Sequence, residues 1–102
     1  MPQIAIIVEF QLNSGARPQF EQLIREHAQR SQDEEKGCLR FDVLEVIKED
    51  GTLDTDCIWL TELYADSAAV KEHESTDRLK ALGAAIAPLV AQKRLIKAVM
   101  IN

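Results

Sequence analysis

A chain of 102 residues is long enough for one hydrophobic core and too short for a second domain, so residues 1–102 read as a single unit. Its composition, 46% hydrophobic and 28% charged, is that of a globular domain rather than a disordered segment. Seventeen acidic against twelve basic residues leave a net charge of −5, and the longest basic run is Lys93-Arg94; neither nucleic acid nor an anionic membrane, which need a basic patch, is an expected partner.

The N-terminal apolar run is interrupted by Glu9 and is too short to span a bilayer. It lacks the basic start and small-residue cleavage site of a signal peptide, so a cytoplasmic protein is expected. Residues 3–12 read as a β-strand, with Ile4, Ile6, Val8, Phe10 and Leu12 on one face. Ala5 and Ile7 begin the other face, followed by Glu9 and Gln11. After the turn "NSGARP", Pro18 suits the first turn of a helix reaching to about Asp33. Phe20, Leu23, Ile24, His27, Ala28 and Ser31 fall on one helical stripe, which puts His27 among apolar neighbours. Glu21/Arg25 and Glu26/Arg30 are spaced as surface pairs. Gly37 is expected to act as the C-terminal stop.

Residues 38–47 form a second predicted strand. The acidic loop 48–56 is centred on the hairpin dipeptide Asp50-Gly51, and its acids fit no calcium-loop spacing. Residues 57–64 form a third strand. Residues 65–92 read as helical, with Asp66 as N-cap and with Ala69, Val70 and His73 on one stripe. Thr76 can restart the helix, whose buried face is then Leu79, Leu82, Ile86 and Leu89; Pro88 marks a kink or the approaching end. Residues 94–101 close the domain as a fourth strand. Cys38 and Cys57 lack Cys-x-x-Cys spacing and suit a reduced compartment.

The order β-α-β-β-α-β is the ferredoxin-like split unit of an α+β fold. Its helices cover one sheet face, yet the last strand is apolar on both, Leu95, Val99 and Ile101 against Ile96, Ala98 and Met100. A homodimer with the two sheets packed face to face, a dimeric α/β barrel, would cover the second face.

Three segments, "EKGCLRFDVL", "TELYADSAAVKEH" and "HESTDRL", resemble the antibiotic biosynthesis monooxygenase (ABM) family of dimeric α+β barrels. Glu35, Gly37, Cys38 and Phe41 match the pattern Glu-Pro-Gly-Cys with a later aromatic, Lys36 replacing the proline. Glu62, Tyr64, Asp66, Ala69 and His73 match the pattern around the third strand. His73 and Thr76 are kept where the family often continues Thr-Pro-His-aromatic, but Asp77, Arg78 and Leu79 stand at the last three positions. A mechanism using both histidines therefore does not carry over unchanged. The resemblance implies a cofactor-independent oxygenase of quinols and phenols. Haem-degrading members and the isomerase of phosphorylated autoinducer-2 belong to the same family, and "LRFDVL" with a histidine in the first helix resembles the isomerase branch.

In such a fold a pocket between helices and sheet is expected, reached by His73 and His27 as candidate proton carriers. Phe41 and Trp59 share side-chain parity if the hairpin pairs residue 47 with 55, and are expected to line it. The opposite parity carries Arg40, Glu62 and Tyr64, with Arg40 facing Glu62; which set meets the helices stays open. Three functions follow. In a monooxygenase without cofactor or metal, a histidine deprotonates a phenol whose anion reduces O₂, with Phe41, Trp59 and Tyr64 around the ring. In an isomerase of a small phosphorylated dione, Arg40 or Arg78 holds the phosphate. A non-catalytic dimeric module would only enclose a small ligand. No Gly-x-Ser-x-Gly, P-loop or Gly-x-Gly-x-x-Gly motif supports other chemistries.

Overall fold

The computed structural model describes residues 2–102. β-Branched residues and strict alternation make Ile4–Leu12 strand β1, and its inward set Ile6, Val8, Phe10 and Leu12 is buried. Helix α1 is Arg17–Glu34, with Pro18 in its first turn. Its buried residues are Phe20, Ile24, His27, Ala28 and Ser31, the stripe expected from the spacing. Arg25 pairs with Glu21 as expected, whereas Arg30 turns C-terminally to Glu34 rather than to Glu26.

Strands β2 (Cys38–Ile47) and β3 (Leu53–Tyr64) form a hairpin around the Lys48–Thr52 turn. Gly51 sits there at φ +88°, a conformation glycine adopts without steric cost. The third strand thus begins four residues earlier than expected. Helix α2 (Ser67–Glu74) is capped by Asp66, whose carboxylate accepts the Ala69 N–H at 2.8 Å. The chain breaks at Ser75 and restarts as α3 (Asp77–Ile86), capped by Thr76. A 3₁₀ turn holding Pro88 ends the helical stretch and leads into β4 (Val90–Val99), so the strand begins four residues earlier than expected and takes in 90–92, expected to be helical.

The four strands form one antiparallel sheet in the order β2-β3-β1-β4. This is the ferredoxin-like α+β arrangement, with all helices on one face. Among the described residues, no helix is long and apolar enough to cross a membrane.

Two features correct the sequence expectations. The hairpin pairs Ile47 with Leu53, and Thr55–Cys57 lie outside the ladder before Glu45 pairs with Ile58. The register beyond is one residue away from the expected one, and such a slip exchanges the two faces of a strand. Phe41 therefore shares a face with Leu60 and Glu62, while Arg40 and Trp59 lie on the other. A second irregularity at Leu39 restores parity, so Cys38 pairs with Tyr64.

Gly37 is not a left-handed helix stop; only Gly15 and Gly51 have positive φ. Helix α1 ends earlier, with Glu35 extended and its N–H on the Ser31 carbonyl. Position 37 needs glycine because a Cβ there would collide with the Cβ of Ala69 in α2. The first turn of α2 thereby rests directly on the chain entering β2.

Candidate active site

A cavity of about 200 Å³ lies between the helices and the sheet. Ile6, Val8 and Phe10 of β1 and Leu60 of β3 form its floor. Ile24 of α1 and Leu79, Leu82 and Ile86 of α3 form much of its roof. Leu79 and Leu82 are only half-buried because they face this space instead of closing on the sheet. Glu74, Lys93 and Leu95 stand at the exposed rim.

The polar wall is built from three segments. His73 is buried on α2 and points its Nδ1 at Glu35, 2.8 Å from Oε1 and 3.1 Å from Oε2. Thr76, which caps α3, also donates its hydroxyl to the His73 carbonyl at 2.9 Å, so one residue ties α2 to α3. The turn this creates brings Arg78 back onto Glu35, and the guanidinium and carboxylate form an ion pair. Arg78 also donates through Nη1 to Ser31 Oγ at 3.1 Å and to His27 Nδ1 at 3.3 Å. Its buried Nε has no partner among the described residues.

Tautomers follow from these contacts. Arg78 can only donate, so His27 Nδ1 accepts and its Nε2 carries the proton. Glu35 accepts from Arg78 and from His73 Nδ1–H, which leaves His73 Nε2 as the ring nitrogen turned away from Glu35. That Nε2 lies 4.0 Å from Glu62 Oε1. Glu62 is itself buried, lines the cavity, and accepts the Tyr64 hydroxyl at 2.6 Å. The two imidazoles and Phe41 pack edge to face, with His27 5.5 Å from each of the others.

The environment separates these groups by their proton affinity. Burial, then the Arg78 charge, holds His27 down at about 4, so it is neutral near pH 7. Burial pushes the Glu62 carboxyl up to about 7; the Tyr64 hydrogen bond opposes this and the Glu35 charge adds to it. Tyr64 is raised above its ordinary value by burial and by Glu62, so its hydroxyl remains a donor. The Cys38 thiol is pushed up to about 11, chiefly by burial, which suits a small buried hydrophobe rather than a nucleophile.

Of the residues singled out in the sequence, His73, His27 and Phe41 meet at this cavity. Tyr64 lies fully buried behind Glu62 and does not line it. Trp59 and Arg40 are on the opposite sheet face, where Arg40 pairs with Asp42 at 2.6 Å and not with Glu62. Arg78 is engaged by Glu35 beneath the two histidines and does not line the cavity. Glu35 and Ser31 have no expected role in the sequence, and Glu62 is expected there only as the residue facing Arg40. Two of them, Glu35 and Glu62, stood inside the matched patterns, and an acid at a buried-face position was the available signal.

The family model described as antibiotic biosynthesis monooxygenase matches residues 3–85. The chain belongs to this family. A candidate antibiotic biosynthesis monooxygenase from Caulobacter crescentus is 25% identical, with 99% of this chain and 92% of that one covered and a TM-score of 0.87. A conserved Bacteroides thetaiotaomicron protein of unknown function, described as a possible oxidoreductase, is 20% identical over 97% of this chain and 98% of its own, at a TM-score of 0.85. A Nitrosomonas europaea chain, also a candidate antibiotic biosynthesis monooxygenase, is 20% identical over 97% and 99%, at a TM-score of 0.83. At these identities the last two speak for the fold alone. No curated protein matches the chain. The ABM match embraces β1 through most of α3, and so every residue of the polar wall.

Proposed function

We propose that this ABM protein is a cofactor-independent monooxygenase of a small aromatic, quinol-like substrate, with His73 as a proton carrier. The observation that supports this best is the single polar wall of an otherwise apolar cavity, where Glu35 orients His73 with Nε2 free. A ring held against Phe41, Leu60 and Ile86 in the depth of the cavity turns its hydroxyl to this wall. Loss of the hydroxyl proton makes an electron-rich phenolate. The phenolate passes an electron to O₂, and the radical pair joins as a C–O bond. Breaking the O–O bond then leaves one oxygen on the ring as a carbonyl. The other departs as water, with both its hydrogens from the substrate. The substrate is its own reductant, so a neutral-range base is the main demand on the protein. His27, neutral and held by Arg78, serves as a fixed hydrogen-bonding wall rather than as the base.

The isomerase reading needs a cation for a phosphate. Of the two arginines expected to hold it, Arg40 lies on the far sheet face and Arg78 is engaged by Glu35, which leaves only Lys93 at the rim and counts against this reading. The uncovered sheet face carries Ile7, Trp59, Leu63 and Ile96, and we infer that a second copy of the chain covers it.

Oxygen consumption with a panel of single-ring quinols tests the chemistry. At least one is expected to drive uptake on the order of 10²-fold above the His73→Ala protein, the usual worth of one positioned member of an acid–base wall. Ligand binding that His73→Ala leaves intact, with no turnover by either protein, would instead make this a binding module.

A further inference from the structure

We propose that Glu62, rather than His73, is the group that takes the substrate's proton, with His73 positioning the hydroxyl. This rests on the cavity reading above and goes beyond it in assigning the acceptor. The two carboxylates of the polar wall have unlike surroundings. Glu35 is occupied by Arg78 and by His73 Nδ1–H, and does not line the cavity, so it orients His73. Glu62 lines the cavity with Oε1 on the Tyr64 hydroxyl, and its Oε2 makes no hydrogen bond to any described residue. No Lys or Arg among the described residues is paired with it.

The spacing to His73 points the same way. At 4.0 Å, Nε2 and Oε1 are too far apart to bond directly. A gap of that length between two polar groups is suited to one bridging oxygen. A phenol oxygen placed there lies beside His73 Nε2 and faces the Glu62 carboxylate: its proton moves to that carboxylate, forming a carboxyl O–H as the phenol O–H breaks. The phenolate left behind keeps the bonding pair. Paired acids whose environments are driven apart in this way divide positioning from proton transfer. The titratable and charged groups that face Glu62 come from several elements, with Glu74 of α2 at the cavity rim. Tyr64 stands beside it on β3, His27 on α1, His73 on α2 and Arg78 on α3. Glu35 follows α1, Cys38 opens β2, and Lys93 on β4 is at the rim. Its elevated proton affinity, at about 7, is what a base working near neutrality needs.

The test is an infrared difference spectrum of the whole protein binding 4-cyanophenol without oxygen, at about pH 7.5, where the free probe is still largely a neutral phenol and Glu62 largely ionised. Expected are phenolate bands together with a new protonated-carboxyl band. Glu62→Gln is expected to bind the probe and lack the carboxyl band; His73→Gln is expected to keep it. Tyr64→Phe retains the carboxyl but removes the hydrogen bond that lowers its proton affinity, so the band should persist to higher pH; this carries the test if Glu62→Gln fails to fold. Phenolate without a carboxyl band in the native protein would overturn Glu62 as acceptor while leaving the oxygenase reading intact. A probe that stays neutral, or a carboxyl band that survives in Glu62→Gln, would also overturn it. Oxygen uptake is read separately, so failure of the oxygenase reading is not mistaken for failure of this one.

Discussion

Burial acts on Glu62 and His27 in opposite senses, and each leaves its own mark on stability. Glu62 titrates at about 7 in the fold against an ordinary value of 4.5. The native state therefore binds more protons than the unfolded chain between those limits, and its contribution is fully present below about pH 4.5. It is lost as pH rises through about 7, by about 3 kcal/mol. His27, lowered from 6.5 to about 4, does the reverse. Its contribution is present above about pH 6.5 and is lost as pH falls through about 4, by a similar amount. Over most of this range the two slopes oppose each other, so the native protein alone reveals little. Comparison with variants separates them. Relative to Glu62→Gln, the native protein should lose stability to urea as pH rises from about 4.5 to 7 and then level off. Relative to His27→Gln it should gain from about 4 to 6.5. Flat differences in both would show that neither group is buried as described. The histidines were legible in the sequence because an amphipathic stripe announces its buried face. The partners were not: Arg78 meets Glu35 across 43 positions, and only the break at Ser75 brings them together.

At the scale of elements, order was legible, because the strands and helices have clear periods and Asp66 and Thr76 announce their helix starts; the last boundary was not, since 90–92, expected in the helix, already belong to β4. Register was not. Whether Thr55–Cys57 belong to the ladder depends on how the hairpin closes around Gly51, and one residue decides which face Phe41 and Trp59 share. Gly37 shows the same limit. In sequence it resembles a helix stop, but its reason is the approach of Ala69, which follows from packing between α2 and β2. Adding a methyl there should destabilise the protein by about 1–3 kcal/mol, the range for overpacking a tight contact. Because α2 carries His73, oxygen uptake should fall with it. Pairing Gly37→Ala with Ala69→Gly removes the clash and should recover much of the stability, despite up to about 1 kcal/mol of helix cost. Urea unfolding of the four proteins gives the coupling energy. Strict additivity of the two changes would mean that the contact does not set the seat of α2.

At the scale of the molecule, the sheet presents two faces of different character. The helix side holds the core, the cavity and the polar wall. The other side presents Ile7 against Ile96 on β1 and β4, Leu63 beside Ala5, and Trp59 near Leu44, with Trp59 and Leu44 each more than a third exposed. Polar side chains such as Glu9, Arg94 and the Arg40–Asp42 pair lie among them, so this face is mixed in the way of an interface rather than a core. A partner here would cover the apolar set without touching the acid–base groups, which lie beneath the sheet. Assembly and chemistry are therefore separable. Light scattering should give about twice the 11.5 kDa chain mass, and thermal stability should rise with protein concentration. Ile96→Glu places a charge at the middle of the paired face and should yield a folded monomer that still binds a single-ring phenol. A native protein that remains monomeric at micromolar concentration would show that the apolar strip between β1 and β4 has another occupant. Loss of phenol binding in a folded Ile96→Glu monomer would place part of the cavity wall on the second copy.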